Sequence, residues 1–113
     1  MEKRPLFVVD VPGAEIVDEK SFHDVFARTF QFADYYGRSM NAWIDLMTYL
    51  DLDGQVDAIA APPGALVIIQ LRDAQAFLRR SPELYQAMVD GVTFVNYRRL
   101  EAGEPALLAL LPA

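Results

Sequence analysis

The stretch Phe32-Ala33-Asp34-Tyr35-Tyr36-Gly37-Arg38-Ser39-Met40-Asn41-Ala42-Trp43-Ile44-Asp45-Leu46-Met47-Thr48 decides how this chain is read. Its first part is a loop, with Gly37 free to take a positive φ angle. Its second part is a helix from about Met40 to Leu50, and Ser39 is the expected N-cap. On that helix Trp43, Leu46, Met47 and Leu50 stand at i, i+3, i+4 and i+7, so they share one face that must enter a core. At 100° per residue, Asn41, Asp45 and Thr48 gather on the opposite face. That face is polar, anionic at Asp45, and adjacent to Tyr35 and Tyr36, a residue type enriched at interface hot spots. A rigid helix with a central carboxylate beside phenol rings can imitate a phosphate for a basic active site. An ordinary amphipathic surface helix after a tyrosine loop would carry the same pattern.

Outward from this stretch, strands and helices alternate. Leu6 to Val11 reads as a buried strand closed by Pro12-Gly13. Ser21 is the expected cap of a helix, with Asp24 in a capping-box position and Phe22, Val25, Phe26 and Phe30 along one apolar face. Asp51 to Gly64 is polar and then Pro-Pro-Gly, a long loop or insertion. Leu66 to Leu71 is a strand rich in β-branched residues. Asp73 is placed to cap a short helix through Arg80. The longest helix opens on Ser81-Pro82-Glu83 and stops before Gly103, a good C′ residue. Its apolar residues run most of the way round, which predicts a largely buried helix. Ala106 to Leu111 reads as the last strand. Strands separated by helices imply a small α/β fold with a three-stranded parallel sheet in one domain over residues 1–113.

Charge narrows the function. Sixteen acidic residues against ten basic ones give a net charge of −6, which disfavours direct binding of RNA or DNA. Between Asp34 and Asp57 lie Asp34, Asp45, Asp51, Asp53 and Asp57 against the single base Arg38, a local net of −4. Such a patch is either a solvated surface or an electrostatic landing site for a basic partner. The chain has no cysteine, so it carries no disulfide framework or thiolate metal site. Its apolar runs are too short for a signal peptide or a membrane span, and a soluble, cytoplasmic protein is expected.

The stretch from Phe32 to Met47 resembles the inhibitory loop and helix of the barstar family: an acid, two aromatics, Gly, a short polar pair, then a helix carrying Ala and a later Asp. The order of elements along the whole chain is similar at lower quality. The resemblance implies an intracellular inhibitor, an immunity protein against a basic ribonuclease or related toxin, that plugs the nuclease active site with its second helix. On that reading Asp45 matches the central inhibitory carboxylate. Tyr35, Tyr36 and Gly37 match the contact loop, Ala42 matches a small contact position, and Ser39, Asn41 and Thr48 complete the contact set. The chain also departs from the pattern. Asn41 stands where the family's namesake has a second Asp, Trp43-Ile44 reverses an aliphatic–aromatic pair, and Arg98 falls where an acid is expected. These departures suggest a different nuclease or toxin as partner, or a barstar-like binding module whose partner is no nuclease.

No catalytic constellation emerges. His23, the only histidine, reads as a solvent-facing side chain on a polar helix position, and no Ser–His–Asp, Cys–His or metal-ligand spacing forms around it. Asp51-Leu52-Asp53-Gly54 resembles the opening of a calcium loop but lacks the later ligands. Arg79-Arg80 and Arg98-Arg99 read as solvated helix ends. The expectation is a protein without enzymatic activity, cofactor or metal, monomeric when unbound.

Overall fold

The three strands are parallel and follow one another in space as they do in sequence. The computed structural model describes residues 3–113. Strand β1 (Leu6–Pro12) pairs with β2 (Leu66–Arg72), which pairs with β3 (Leu108–Pro112), in the order β1-β2-β3. A single 3₁₀ turn, Gly13–Glu15, leads from β1 toward α1 (Glu19–Thr29), and α2 (Met40–Thr48) comes next. After β2 come α3 (Ala74–Arg80) and the long α4 (Pro82–Glu101).

β1 departs from the fully buried strand that its apolar run predicts. Val9 and Val11 are buried, while Leu6 and Val8 on the alternate positions are exposed. β2 repeats the alternation, burying Val67, Ile69 and Leu71. One face of the sheet therefore meets the helices and the other is open. A run of apolar residues cannot distinguish these cases, because its period of 2 is hidden when both faces are apolar.

Helix α1 delivers the expected Phe22, Val25 and Phe26 to the core, and Phe30, its C-cap, joins them. The cap is not Ser21 but Asp18. Asp18 Oδ1 accepts from the Ser21 backbone N–H at 2.8 Å, and the Ser21 hydroxyl accepts from the Asp18 N–H at 3.0 Å. The box is the same device moved one turn toward the N-terminus. Asp73 differs more. It precedes α3 in a left-handed conformation, φ 53°, and its carboxylate caps nothing.

Helix α4 is buried on one side only, by Met88, Gly91, Val92 and Val95. Phe94, Tyr97 and Leu100 are exposed, contrary to the reading of a largely buried helix. Asn96 ties α4 to the last strand: its amide donates to the Leu108 carbonyl and its oxygen accepts from the Leu107 and Leu108 N–H groups, each at 2.9 Å. Gly103, at φ +79°, ends the helix as expected.

The packing that positions the second helix is a single close approach. Trp43 of α2 is fully buried, and a Cβ added at Gly91 of α4 would lie 2.9 Å from Trp43 Cζ3 and 3.2 Å from Cε3. Gly91 costs α4 about 1 kcal/mol of helix propensity relative to Ala, so the space it leaves is used by the indole. Gly91→Ala is expected to destabilise the chain by about 1–2 kcal/mol despite the better propensity, because overpacking a rigid ring outweighs the gain. Urea unfolding followed by circular dichroism checks this; an unchanged or higher midpoint would contradict it.

Candidate partner-binding surface on the second helix

Helix α2 keeps the rotation its sequence dictates. Trp43, Met47 and Leu50 are fully buried and Leu46 is half-buried, so Asn41 and Asp45 on the other side are exposed. Ser39 caps the helix, its Oγ accepting from the Ala42 N–H at 3.1 Å. Asp45 keeps 63% of its side-chain exposure and is not covered by the 51–64 segment. Tyr35, Gly37 and Ser39 are also exposed, and Ala42 is half-buried against the core.

Two residues of the expected contact set lie elsewhere. Thr48 is buried, and its hydroxyl donates to the Ile44 carbonyl at 2.6 Å, the usual way for a helical threonine to satisfy itself. Tyr36 is buried too. Its ring packs on Phe32 with centroids 4.7 Å apart, and its hydroxyl shares a 2.5 Å hydrogen bond with His23 Nδ1. Thus Tyr36 shapes the loop from below, and Tyr35, 70% exposed, is the tyrosine on the surface. The positive φ angles of the loop fall at Gln31 and Arg38 rather than at Gly37. An added Gly37 Cβ would sit 3.4 Å from the Ala42 Cβ, ordinary contact, so the backbone there does not demand glycine.

His23 corrects a second expectation: it is 2% exposed, not solvent-facing. Burial pushes its pKa down, with Arg38 acting the same way and Glu19 and Asp24 opposing. Glu19 Oε1 lies 3.8 Å from Nε2, which makes no hydrogen bond among the described residues. The carboxylate favours a proton on Nε2, leaving Nδ1 to accept from the Tyr36 hydroxyl. Burial in turn raises the Tyr36 pKa and keeps the phenol protonated.

The loop is braced from outside by the 51–64 segment. The Ala33 N–H donates to the Asp57 carbonyl at 2.8 Å, and the Ile59 N–H to the Phe30 carbonyl at 2.6 Å. The Tyr35 hydroxyl donates to the Asp57 carboxylate, which raises the tyrosine pKa. Gln55 organises the segment itself, accepting from the Asp57 and Ala58 N–H groups at 2.9 and 3.1 Å. Arg38 joins the Asp24 carboxylate of α1 and anchors the other side of the loop.

The acidic patch is half-neutralised by α4, which the sequence did not indicate. Arg98 Nη1 donates to Asp45 Oδ1 at 2.8 Å. Arg99 grips Asp51 with two bonds, Nη1–Oδ1 at 2.6 Å and Nη2–Oδ2 at 2.9 Å, and its Nη1 also donates to the Thr48 carbonyl. The second pair is nearly buried, and the arginine holds the Asp51 pKa below the ordinary carboxylate value. Asp51 is therefore a structural tie between the loop and α4, neither a calcium ligand nor a landing charge. Arg99 is likewise not a solvated helix end, whereas Arg98 stays partly exposed and pairs with Asp45. Among the described residues no cluster of three or more His, Cys, Asp or Glu is placed to hold a metal, and no helix is long and apolar enough to cross a membrane.

Fold and surface define a small α/β protein whose second helix lies against the fourth and displays an exposed carboxylate beside a tyrosine loop. No curated protein matches the sequence. Residues 6–107, nearly the whole chain, match the family described as Barstar (barnase inhibitor), and the chain belongs to the barstar family. The members of that family are inhibitors rather than enzymes.

The buried His23 and Asp51 each lead to a measurable outcome. Because the folded chain keeps His23 neutral while the unfolded chain takes up a proton near pH 6.5, stability should fall as pH drops from about 7 toward 5, down to the depressed folded pKa. A His23→Gln chain, which keeps an acceptor for Tyr36, should lose that part of the slope in denaturant titrations; an unchanged slope would contradict the assignment. Asp51→Asn should cost about 3 kcal/mol in the same measurement, since it leaves a nearly buried guanidinium uncompensated.

Proposed function

We propose that this chain binds a barnase-like ribonuclease and blocks its active site with α2 and the loop before it. Asp45 is the observation that supports the reading most. It stands on a helix whose opposite face is locked in the core, so its carboxylate is held outward at little entropic cost on binding. Asn41 one turn earlier offers both a donor and an acceptor. Tyr35 adds a broad ring whose hydroxyl is already committed to Asp57. Family membership supplies the partner class, and the acidic balance of the chain suits a basic enzyme.

The contact set under this reading is Tyr35, Gly37, Ser39, Asn41, Ala42 and Asp45, with Tyr36 and Thr48 acting from within. Their side chains come from one loop and one helix, which lets a single rigid ridge enter a cleft. The chain acts as one domain in the cytoplasm, as an immunity protein for the cell that makes the nuclease. A second reading, a barstar-like module with a non-nuclease partner, draws on one observation: Arg98 neutralises the carboxylate that an all-basic cleft would engage.

The reading is tested by titrating barnase activity on RNA with the wild-type chain, Asp45→Ala and Asp53→Ala. Stoichiometric inhibition by wild type is expected, weakened by about 2 kcal/mol or more in Asp45→Ala, roughly thirtyfold in Kd. Asp53, exposed on the loop and outside the proposed ridge, serves as the control. Equal and small effects of both substitutions would sink the proposed site.

A further inference from the structure

The charge on α2 has a counter-charge built beside it. Asn41 and Asp45, one turn apart on α2, face Phe94 and Arg98, one turn apart on α4, and with Ile44 they line a cavity of ≈ 460 Å³. Arg98 reaches across it to Asp45 at 2.8 Å, and its guanidinium carbon lies 5.2 Å from the centre of the exposed Phe94 ring. Both charged side chains remain open to solvent, 39% for Arg98 and 63% for Asp45. A group entering this cavity meets a carboxylate and a guanidinium together.

The unused atoms show what such a group must offer. Asp45 Oδ2 makes no hydrogen bond among the described residues and accepts a further donor. Arg98 Nη2 and Nε make none either, and they call for an acceptor. A lone lysine or arginine of a partner gains Asp45 Oδ2 but sits within a few ångströms of the Arg98 charge, where repulsion offsets much of the attraction. A partner that sets a carboxylate beside its cation satisfies both. The pair is exposed and weakly held, so it tunes the choice of partner more than it stabilises the fold.

Resting on the reading that Asp45 is the contact carboxylate, we propose that Arg98 is a specificity-determining residue. It lowers affinity for a site presenting cations alone and selects a cationic site with an acidic side chain at its edge. The partner is then a basic protein with a mixed-charge rim, and Phe94 and Tyr97 of α4 flank the same seam as exposed rings.

Binding of barnase to wild type, Arg98→Ala, Arg98→Glu, Asp45→Ala and the Asp45→Ala/Arg98→Ala double variant tests this by surface plasmon resonance across a salt series. Arg98→Ala should bind at least tenfold tighter than wild type, with a faster association rate and a steeper salt dependence, and Arg98→Glu tighter still. The gain should be smaller in the Asp45→Ala background, where no carboxylate draws the partner's cation up to the Arg98 charge. A charge-reversal scan of the lysines and arginines around the barnase site should also find a substitution to Glu that binds wild type better than it binds Arg98→Ala. If Arg98→Ala binds no better than wild type while Asp45→Ala still weakens the complex, the selectivity proposal fails and the inhibitor reading stands. If Asp45→Ala binds as wild type, the contact carboxylate is misassigned and both fail. Absence of binding by every variant, Arg98→Glu included, overturns the proposal, since that variant removes the opposing charge.

Discussion

The approach of Trp43 to Gly91 governs the placement of nearly every surface feature on α2. An indole can lie against a helix backbone only where the facing residue has no side chain, and α4 provides one such residue in its interior. That contact sets the rotation of α2 about its own axis and its height along α4. The rotation turns Asn41 and Asp45 outward, and the height brings Asp45 level with Arg98 and the end of α2 level with Arg99. A turn of α2 by two residues would carry the carboxylate to the buried position of Trp43 or Met47, where an unpaired charge is not tolerated. The hydrophobic and electrostatic features of the surface are thus one constraint seen from two sides.

The loop before α2 is held by a different arrangement, from both faces. Beneath it, Tyr36 and His23 share a hydrogen bond inside a cluster of aromatic rings that includes Phe22 and Phe32. Above it, the 51–64 segment contributes backbone bonds and the Asp57 carboxylate. The two adjacent tyrosines consequently do opposite work. Tyr36 commits its ring to the core and its hydroxyl to a histidine, while Tyr35 keeps its ring in solvent and is tethered only at its tip. A surface prepared in this way needs little further ordering when a partner arrives.

How much of the fold and surface is legible in the sequence depends on the range of the interaction. The fold class, the strand and helix sequence and the apolar face of α2 come from periodicities of 2 and 3.6, which are local. Asp45 and Asn41 are legible for the same reason. Tyr36, Thr48 and His23 are misplaced by pattern alone, because a helix or loop position one step from a core face is settled by what packs over it. No local pattern contains that information. The one available signal is the density of aromatics: Phe22, Phe26, Phe30 and Phe32 around His23 leave little room for a solvent-facing imidazole. The arginine pairs lie further out of reach. Arg98 and Arg99 are separated from their carboxylates by 53 and 48 residues, and only the tertiary placement of α4 against α2 joins them.

Counting charge along the sequence therefore overstates the charge a partner would meet. The segment from Asp34 to Asp57 carries a formal −4, yet Arg98 and Arg99 halve it in space, and Asp57 holds a phenol. The two pairs differ in kind. Arg99 and Asp51 are nearly buried, with matched geometry and a further bond to the Thr48 carbonyl, so they secure the seam and are closed to solvent. Arg98 and Asp45 are joined by one bond at an exposed position, where water competes for both partners and the net attraction is small, about 0–1 kcal/mol before discounting for screening. A contact that weak contributes little to folding but still places a positive charge a few ångströms from the Asp45 carboxylate. In a complex that excludes water the same placement would weigh far more, because the effective dielectric falls as the cleft closes. If α2 is the contact helix, as proposed, a minor surface pair in the unbound protein becomes, on contact, a strong criterion for which cleft can accept it.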